Sequence, residues 1–353
     1  MRRQASMAPA LLVWYRRAKR ELPWRETKDP YRIWISEIML QQTRVETVKG
    51  YYERFLKLFP TVFALAAAPQ QDVLKAWEGL GYYSRARNLQ KAAQVIVNVH
   101  AGEFPKTYEG LKALPGIGAY TAGAIASISF EEPVPAIDGN VLRVAARYFG
   151  VREDIGSPAV QRKIRSLVAD SLPSQGVGDY NQALMELGAT LCLPGAPKCH
   201  LCPWQDSCDA YGEKDAQLLP LHIKKPPPKP VDVAVCLLTY GQQILVTRRT
   251  QRLLQGLYVF GLVEEETDPG RVQEVLAQRG LACAFEASLG SARHVFTHRV
   301  WEMALLHYRL LEKPDPAVLA SLQAMLATRR ELLALPLPTA MKAAKEAALK
   351  LDW

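Results

Sequence analysis

Four cysteines fall between residues 192 and 208: Cys192, Cys199, Cys202 and Cys208, spaced C-x6-C-x2-C-x5-C. Any fold for this chain must bring those thiols into one compact loop. The opening residues, MRRQASMAPALLVWYRR, read as an amphipathic helix and not as a secretory leader, so a disulfide framework is not expected and a metal site is. Four thiolates suit Zn²⁺ or an iron–sulfur cluster. Paired CxxC knuckles would favour zinc and only one CxxC is present, so the spacing alone leaves both open.

Upstream of that loop the chain reads as helices with clear punctuation. Asp29-Pro30, Ser157-Pro158 and Asp179 each place a capping residue or a proline at a helix start, and Pro69 opens another. Thr43 and Glu46 have capping-box spacing. Downstream, LPLHIKKPPPKP is proline-rich and basic, which favours an extended linker. Beyond it, VDVAVCLLTYGQQILVTRR and RHVFTHRVWEMALLHYRL each read as two strands around a turn, with helices expected at 271–279, 315–329 and 339–350. A chain of 353 residues has room for about two domains. The expected layout is a helical unit over 1–212, a linker over 213–230 and an α+β unit over 231–353.

Charge and burial narrow the chemistry. Lys and Arg number 44 against 35 Asp and Glu, a net +9 that favours anionic partners. No apolar run is long enough to span a membrane. Glu37 sits among Trp34, Ile35, Ile38, Met39 and Leu40. Burying a lone carboxylate costs several kcal/mol or more, so either that face is wet or the acid is perturbed. The bland alternative is a surface glutamate paired with Arg32 or Arg44. In LPGIGAYTAGAIASISF, Gly116 and Gly118 make a tight turn whose backbone and following helix start can approach a phosphate without reading a base. Asp138, in VPAIDGNVLRV, precedes a helix and suits an N-cap.

Together these pieces resemble the helix-hairpin-helix superfamily of DNA glycosylases. LPGIG, the aspartate of IDGN and the four-cysteine loop occur in that family's order. Within it, SEIMLQQT with Glu37, GLGYYSRARNL with Tyr82 and PGIGAYTAGAI with Tyr120 are similar to the MutY-type adenine DNA glycosylases. The resemblance covers roughly residues 8–210 strongly and 231–353 more weakly. It implies an all-α helix-hairpin-helix fold whose loop (192–208) binds a [4Fe–4S] cluster, followed by an α+β Nudix-like domain that recognises 8-oxoguanine.

The resemblance also implies roles. Glu37 becomes the general acid at adenine N7, and Asp138 the carboxylate that stabilises the oxocarbenium-like sugar. Tyr120 and Asn140 position sugar, water and carboxylates. Arg20, Trp24, Arg25 and Glu186 line or border the adenine pocket, while Gln42 and Tyr82 probe the opposite base and wedge into the stack. Phe296-Thr297-His298 stands where family members often carry Phe-Ser-His, and threonine keeps the hydroxyl. The Nudix hydrolase box is absent, so binding without pyrophosphate hydrolysis is expected. The implied partner is double-stranded DNA with A:8-oxoG or A:G mispairs, left with an abasic site. The enzyme is expected to be monofunctional, because Tyr120 occupies the position of the lysine of bifunctional relatives. A monomer is expected, cytoplasmic and at the nucleoid of a bacterium. The rivals are a glycosylase for oxidised pyrimidines or mismatched thymine, a Nudix-type nucleotide hydrolase with a DNA-binding arm, and a catalytically silent DNA-binding protein.

Overall fold

Local punctuation places several helix starts where the sequence suggests. The computed structural model describes residues 7–223 and 227–353; residues 1–6 of the expected first helix and 224–226 of the expected linker lie outside the described residues. Helix α1 spans Met7–Ala18 and α2 spans Pro30–Leu40. Asp29 caps α2 by accepting a hydrogen bond from the Tyr31 amide at 2.9 Å, with Pro30 in the first turn. Then follow α3 (Val45–Leu58), α4 (Val62–Ala67), α5 (Gln70–Ala76), α6 (Ser84–His100) and α7 (Tyr108–Lys112). The hairpin leads into α8 (Ala119–Phe130), and α9 (Gly139–Tyr148), α10 (Pro158–Ala169), α11 (Val177–Thr190) and the short α12 (Asp209–Gly212) complete the helical part. Helix α8 is buried from Thr121 to Ile128, as an all-round apolar helix must be.

Two expected caps are corrected. Helix α3 starts after Arg44 with no side-chain cap, and the Thr43 hydroxyl instead donates to the Gln41 carbonyl at 3.4 Å, so Thr43 and Glu46 form no capping box. Helix α11 starts at Val177 after Gly176, whose φ of +72° a glycine adopts without strain. Asp179 therefore lies in its first turn, where a carboxylate complements the helix dipole without capping it.

The C-terminal part is a mixed sheet covered on both faces. Its strands are β1 (Lys229–Tyr240), β2 (Gln243–Arg248), β3 (Tyr258–Val259), β4 (Gly261–Glu264), β5 (Cys283–Val295), β6 (Arg299–Leu310) and β7 (Ala324–Ala327). The order is β3-β2-β1-β6-β5, with β4 also on β1 and β7 on β2; β1 and β6 run parallel. Strand β1 sends Val233, Val235 and Leu237 into one core and Ala234, Cys236 and Leu238 into the other. Helix α13 (Pro269–Gln278) covers the second face through Val272 and Leu276, and α16 (Lys342–Lys350) the first through Ala344 and Ala348. The single helix expected at 315–329 is replaced by α14 (Pro316–Ser321), β7 and α15 (Arg329–Ala334). Pairing of Ala324–Ala327 with β2 overrides a local pattern that fits helix or strand equally well.

The chain groups into two compact units. One comprises residues up to Ala67 together with Asn88 to residue 223. The other joins Ala68–Arg87 to the residues from 227 onward. Part of the segment expected to be linker is packed: Ala216 and Leu219 are buried, and the Ile155 amide donates to the Leu221 carbonyl at 3.0 Å. Among the described residues no helix is long and apolar enough to cross a membrane.

Candidate active site

Helix α2 presents Glu37 toward α8, and only 5% of the residue is exposed. It pairs with neither Arg32, which bridges to Asp29 at 3.6 Å, nor the exposed Arg44. The Tyr120 hydroxyl, in the first turn of α8, donates to Glu37 Oε2. Burial pushes the Glu37 carboxyl up to about 7. The Tyr120 bond works against that rise, the charge of Asp138 adds to it, and Arg25 again opposes it. A carboxylic acid so tuned holds its proton near neutral pH and can still release it. Tyr120 itself lies well above its ordinary value, through burial and then the nearby carboxylates, so it stays a neutral donor.

Asp138 is the N-cap of α9. Its Oδ1 accepts from the Val141 amide at 2.7 Å and its Oδ2 from Asn140 Nδ2 at 2.8 Å. Burial raises its pKa, and these bonds with Arg143 oppose the rise. Capping orients the carboxylate and leaves it partly exposed, so one residue serves both the helix and the site. Asn140 is fixed in turn: its Oδ1 accepts from Arg143 Nη2 at 3.0 Å, while Arg143 also donates to the Cys192 and Gly188 carbonyls at 2.9 and 2.8 Å. A Cβ at Gly188 would sit 2.7 Å from Asn140 Cβ, so only glycine lets α9 and α11 approach this closely.

A third carboxylate, Glu186, is wholly buried on α11. It accepts from Arg20 Nε and Nη2, both at 2.8 Å, from the Arg20 amide at 3.1 Å and from Arg25 Nη2 at 2.7 Å. Burial would push its carboxyl up, but Arg20 and Arg25 outweigh it and hold it at about 2. Trp24 is buried edge-on to Tyr52, ring centroids 5.4 Å apart. In the hairpin, Gly116 has φ +74° and packs against Asn88, and Gly118 is the N-cap of α8 with no side-chain cap.

All four loop cysteines line one small, partly open cavity, with Arg147, Lys198 and Trp204. Arg147 Nη1 lies 3.2 Å from Cys192 Sγ, and its Nη2 is buried without a partner. Among the described residues no group of three or more His, Cys, Asp or Glu closes tightly enough to hold a metal ion. Arg143, Arg147, Gly188 and Met185, whose Sδ lies 3.7 Å from the Tyr120 hydroxyl, are neighbours of these residues that sequence reasoning missed. The signal for the arginines was available: Asn140, Arg143 and Arg147 share one face of α9.

The remaining expected site residues are dispersed. Gln42 and Tyr82 are both exposed and both adopt left-handed backbone, φ +58° and +47°, uncommon for side chains of this kind and concentrated at functional turns. Gln42 belongs to the first unit and Tyr82 to the second. Phe296, Thr297 and His298 form the turn between β5 and β6. Phe296 is half-buried, edge-on to His294 and Trp301 at 4.6 and 5.0 Å, whereas Thr297 and His298 are exposed.

Residues 35–170 match the HhH-GPD superfamily of base excision DNA repair proteins, and residues 233–347 match the NUDIX domain. The adenine DNA glycosylase of Buchnera aphidicola subsp. Acyrthosiphon pisum is 36% identical over 252 residues, 71% of this chain and 72% of that protein. The chain belongs to the adenine DNA glycosylase family. Membership makes it a DNA N-glycosylase, a hydrolase of base excision repair. The human adenine DNA glycosylase is 34% identical across 82% of this chain and 54% of its own length, and the mouse protein 45% identical across 57% and 41%. The chain thus spans about half or less of those longer family members. Among solved structures it is similar to a thermostable thymine-DNA glycosylase, with 29% identity, a TM-score of 0.54 and coverage of 60% of this chain and 98% of that one. An endonuclease III–DNA covalent intermediate, at 24% identity and a TM-score of 0.50, shares the helical fold across 59% of this adenine DNA glycosylase family member and 94% of its own chain.

Proposed function

We propose that this enzyme removes adenine mispaired with 8-oxoguanine, or with guanine, from duplex DNA. The observation that carries the proposal is Glu37: a buried carboxyl near pKa 7, held by Tyr120 and sharing its field with Asp138. Adenine flipped from the stack takes the Glu37 proton at N7. The C1′–N9 bond then breaks, its electron pair leaves with the base, and the sugar becomes oxocarbenium-like. Asp138, aimed by Asn140 and the α9 amides, stabilises that positive charge. Water attacks C1′ and its proton restores Glu37, so the step closes as a hydrolysis leaving an abasic site. Arg20, Trp24, Arg25 and Glu186 shape the base pocket. Gly116 and Gly118 hold backbone phosphate, and Gln42, Tyr82 and Phe296-Thr297-His298 read the opposite base.

The cysteine loop supports a [4Fe–4S] cluster. Four thiols line one cavity, and the Arg147 guanidinium beside Cys192 suits the negative charge of thiolate ligands. When bound, the cluster ties together the ends of the 192–208 loop. Cys192, Cys199, Cys202 and Cys208 would hold it, and Arg143 would link the Cys192 backbone to Asn140. About four irons per chain and brown protein are expected on anaerobic purification; stoichiometric zinc without iron would refute the assignment.

The direct test is product analysis. Duplexes with A:8-oxoG and A:G should become alkali-labile at the adenine, while T:G and thymine glycol duplexes stay intact. Before alkali the strand should be unbroken, because the Tyr120 phenol forms no imine with C1′. Borohydride should trap no adduct with the unmodified enzyme and should trap one with Tyr120→Lys. Efficient trapping at a native lysine would overturn the monofunctional assignment.

A further inference from the structure

Residues 68–87 are read by the chain as part of the helical catalytic region but group in space with the C-terminal sheet. Contacts at three levels build this arrangement, the first within the segment itself and the other two reaching the C-terminal sheet unit. Around Tyr82, Trp77 Nε1 donates to the Gly81 carbonyl at 3.2 Å, and Arg85 Nη2 donates to the Leu80 and Gly81 carbonyls at 3.0 and 3.2 Å while its guanidinium stands over the Tyr82 and Trp77 rings. Below that turn, Lys75 Nζ donates to the Leu333 and Leu335 carbonyls at 2.8 and 3.1 Å and to Glu78 at 2.6 Å. Those carbonyls close the C-terminus of α15, whose negative dipole end suits a cation, and an ammonium has three donors to spend. Lys345 from α16 adds a bridge to Glu78 at 3.7 Å, the Tyr83 hydroxyl donates to the Leu337 carbonyl at 3.4 Å, and Arg87 Nη1 donates to the Gln255 carbonyl at 2.7 Å.

We infer that the C-terminal unit, through Lys75 bound to the end of α15, is what holds the Tyr82 turn in its strained, half-exposed pose for insertion into DNA. Lys75 is thus a positioning residue for opposite-base recognition. The inference rests on the reading of Tyr82 as the wedge and adds what braces it. A non-glycine residue at φ +47° persists only when its surroundings over-determine it, and inserting a ring between bases must offset an unstacking cost of a few kcal/mol. A wedge on a free loop would recoil; one bolted to the sheet unit transmits that load. Tyr82 and Phe296-Thr297-His298 then belong to one body. Deleting 231–353 would strip Lys75 of both carbonyl partners, so a preference lost on truncation would belong to both groups.

The test uses the whole 353-residue chain and duplexes with 2-aminopurine beside the 8-oxoguanine, whose fluorescence rises on unstacking. Saturating Lys75→Met should show about half the wild-type rise or less, approaching Tyr82→Ala, and Lys75→Arg, which keeps donors for the carbonyls, should restore it. Single-turnover cleavage of A:G should stay within about twofold while the preference for A:8-oxoG falls severalfold. If Lys75→Met is poorly folded, Tyr83→Phe with Lys345→Gln carries the same expectation. A full rise in these variants beside a lost rise in Tyr82→Ala overturns the brace. A full rise in Tyr82→Ala overturns the wedge assignment itself, and the brace with it.

Discussion

Glu37 and Glu186 are the same residue type, both buried in the helical unit, and their surroundings drive them in opposite directions. Burial raises both. Glu37 meets one phenol donor and the field of a second carboxylate and ends at about 7; Glu186 meets two guanidinium groups and ends at about 2. Burial alone therefore does not make a general acid. A neutral donor leaves the proton on the carboxyl and two cations remove it, so one glutamate is fitted to give a proton and the other to hold arginines in place.

The largest expected break in that comparison is chemical. Glu37→Gln keeps the shape and loses the transferable proton, so single-turnover adenine release should fall by about 10²–10⁴-fold or more. Duplex affinity should stay within about tenfold, roughly 1.4 kcal/mol. Retention of more than a few per cent of the rate would show that Glu37 is not the acid. In stability the ranking reverses. Glu186→Gln leaves Arg20 and Arg25 facing no anion and should lower unfolding free energy by up to about 3 kcal/mol in denaturant titrations. That is the low end for a broken buried pair, because the Arg20 side chain is 38% exposed. Glu37→Gln should be neutral or stabilising in the same titration.

Smaller effects sharpen the same contrast through pH. The rate should fall as pH rises through about 7, where Glu37 loses its proton. Arg25 lowers the Glu37 pKa, so Arg25→Gln should move that falling limb upward, whereas Arg44→Gln, on an exposed side chain, should leave it in place. The smallest effect is thermal. Because the folded pKa of Glu37 exceeds its ordinary 4.5, the native state binds the extra proton between about 4.5 and 7, and stability drains as pH rises through that window. Glu186 acts with the opposite sign: its contribution is present above about 4.5 and is lost as pH falls toward 2. Melting scans from pH 5 to 8 should therefore flatten in Glu37→Gln relative to wild type, whereas Glu186→Gln should run below wild type and parallel to it across that range, the two converging only as pH falls below about 4.5.

Much of this protein was legible in its sequence wherever the determining physics is short-ranged. Asp29-Pro30 and Asp138 announce helix starts because capping joins groups within three residues. The four cysteines announce a shared loop because their spacing lets them line one cavity. The apolar run around Glu37 narrowed the choice to a wet face or a perturbed acid, and burial to 5% exposure decided it. Where two short-range signals competed, as at Thr43 or across 315–329, the outcome passed to neighbours far along the chain. Only the tertiary structure decided that Glu37 is tuned near 7 and Glu186 near 2, because their partners come from 83 and 161–166 residues away and field strength depends on distance in space. It alone decided that residues 68–87 belong with the sheet, because the carbonyls that satisfy Lys75 lie about 260 residues downstream, where no local propensity reaches.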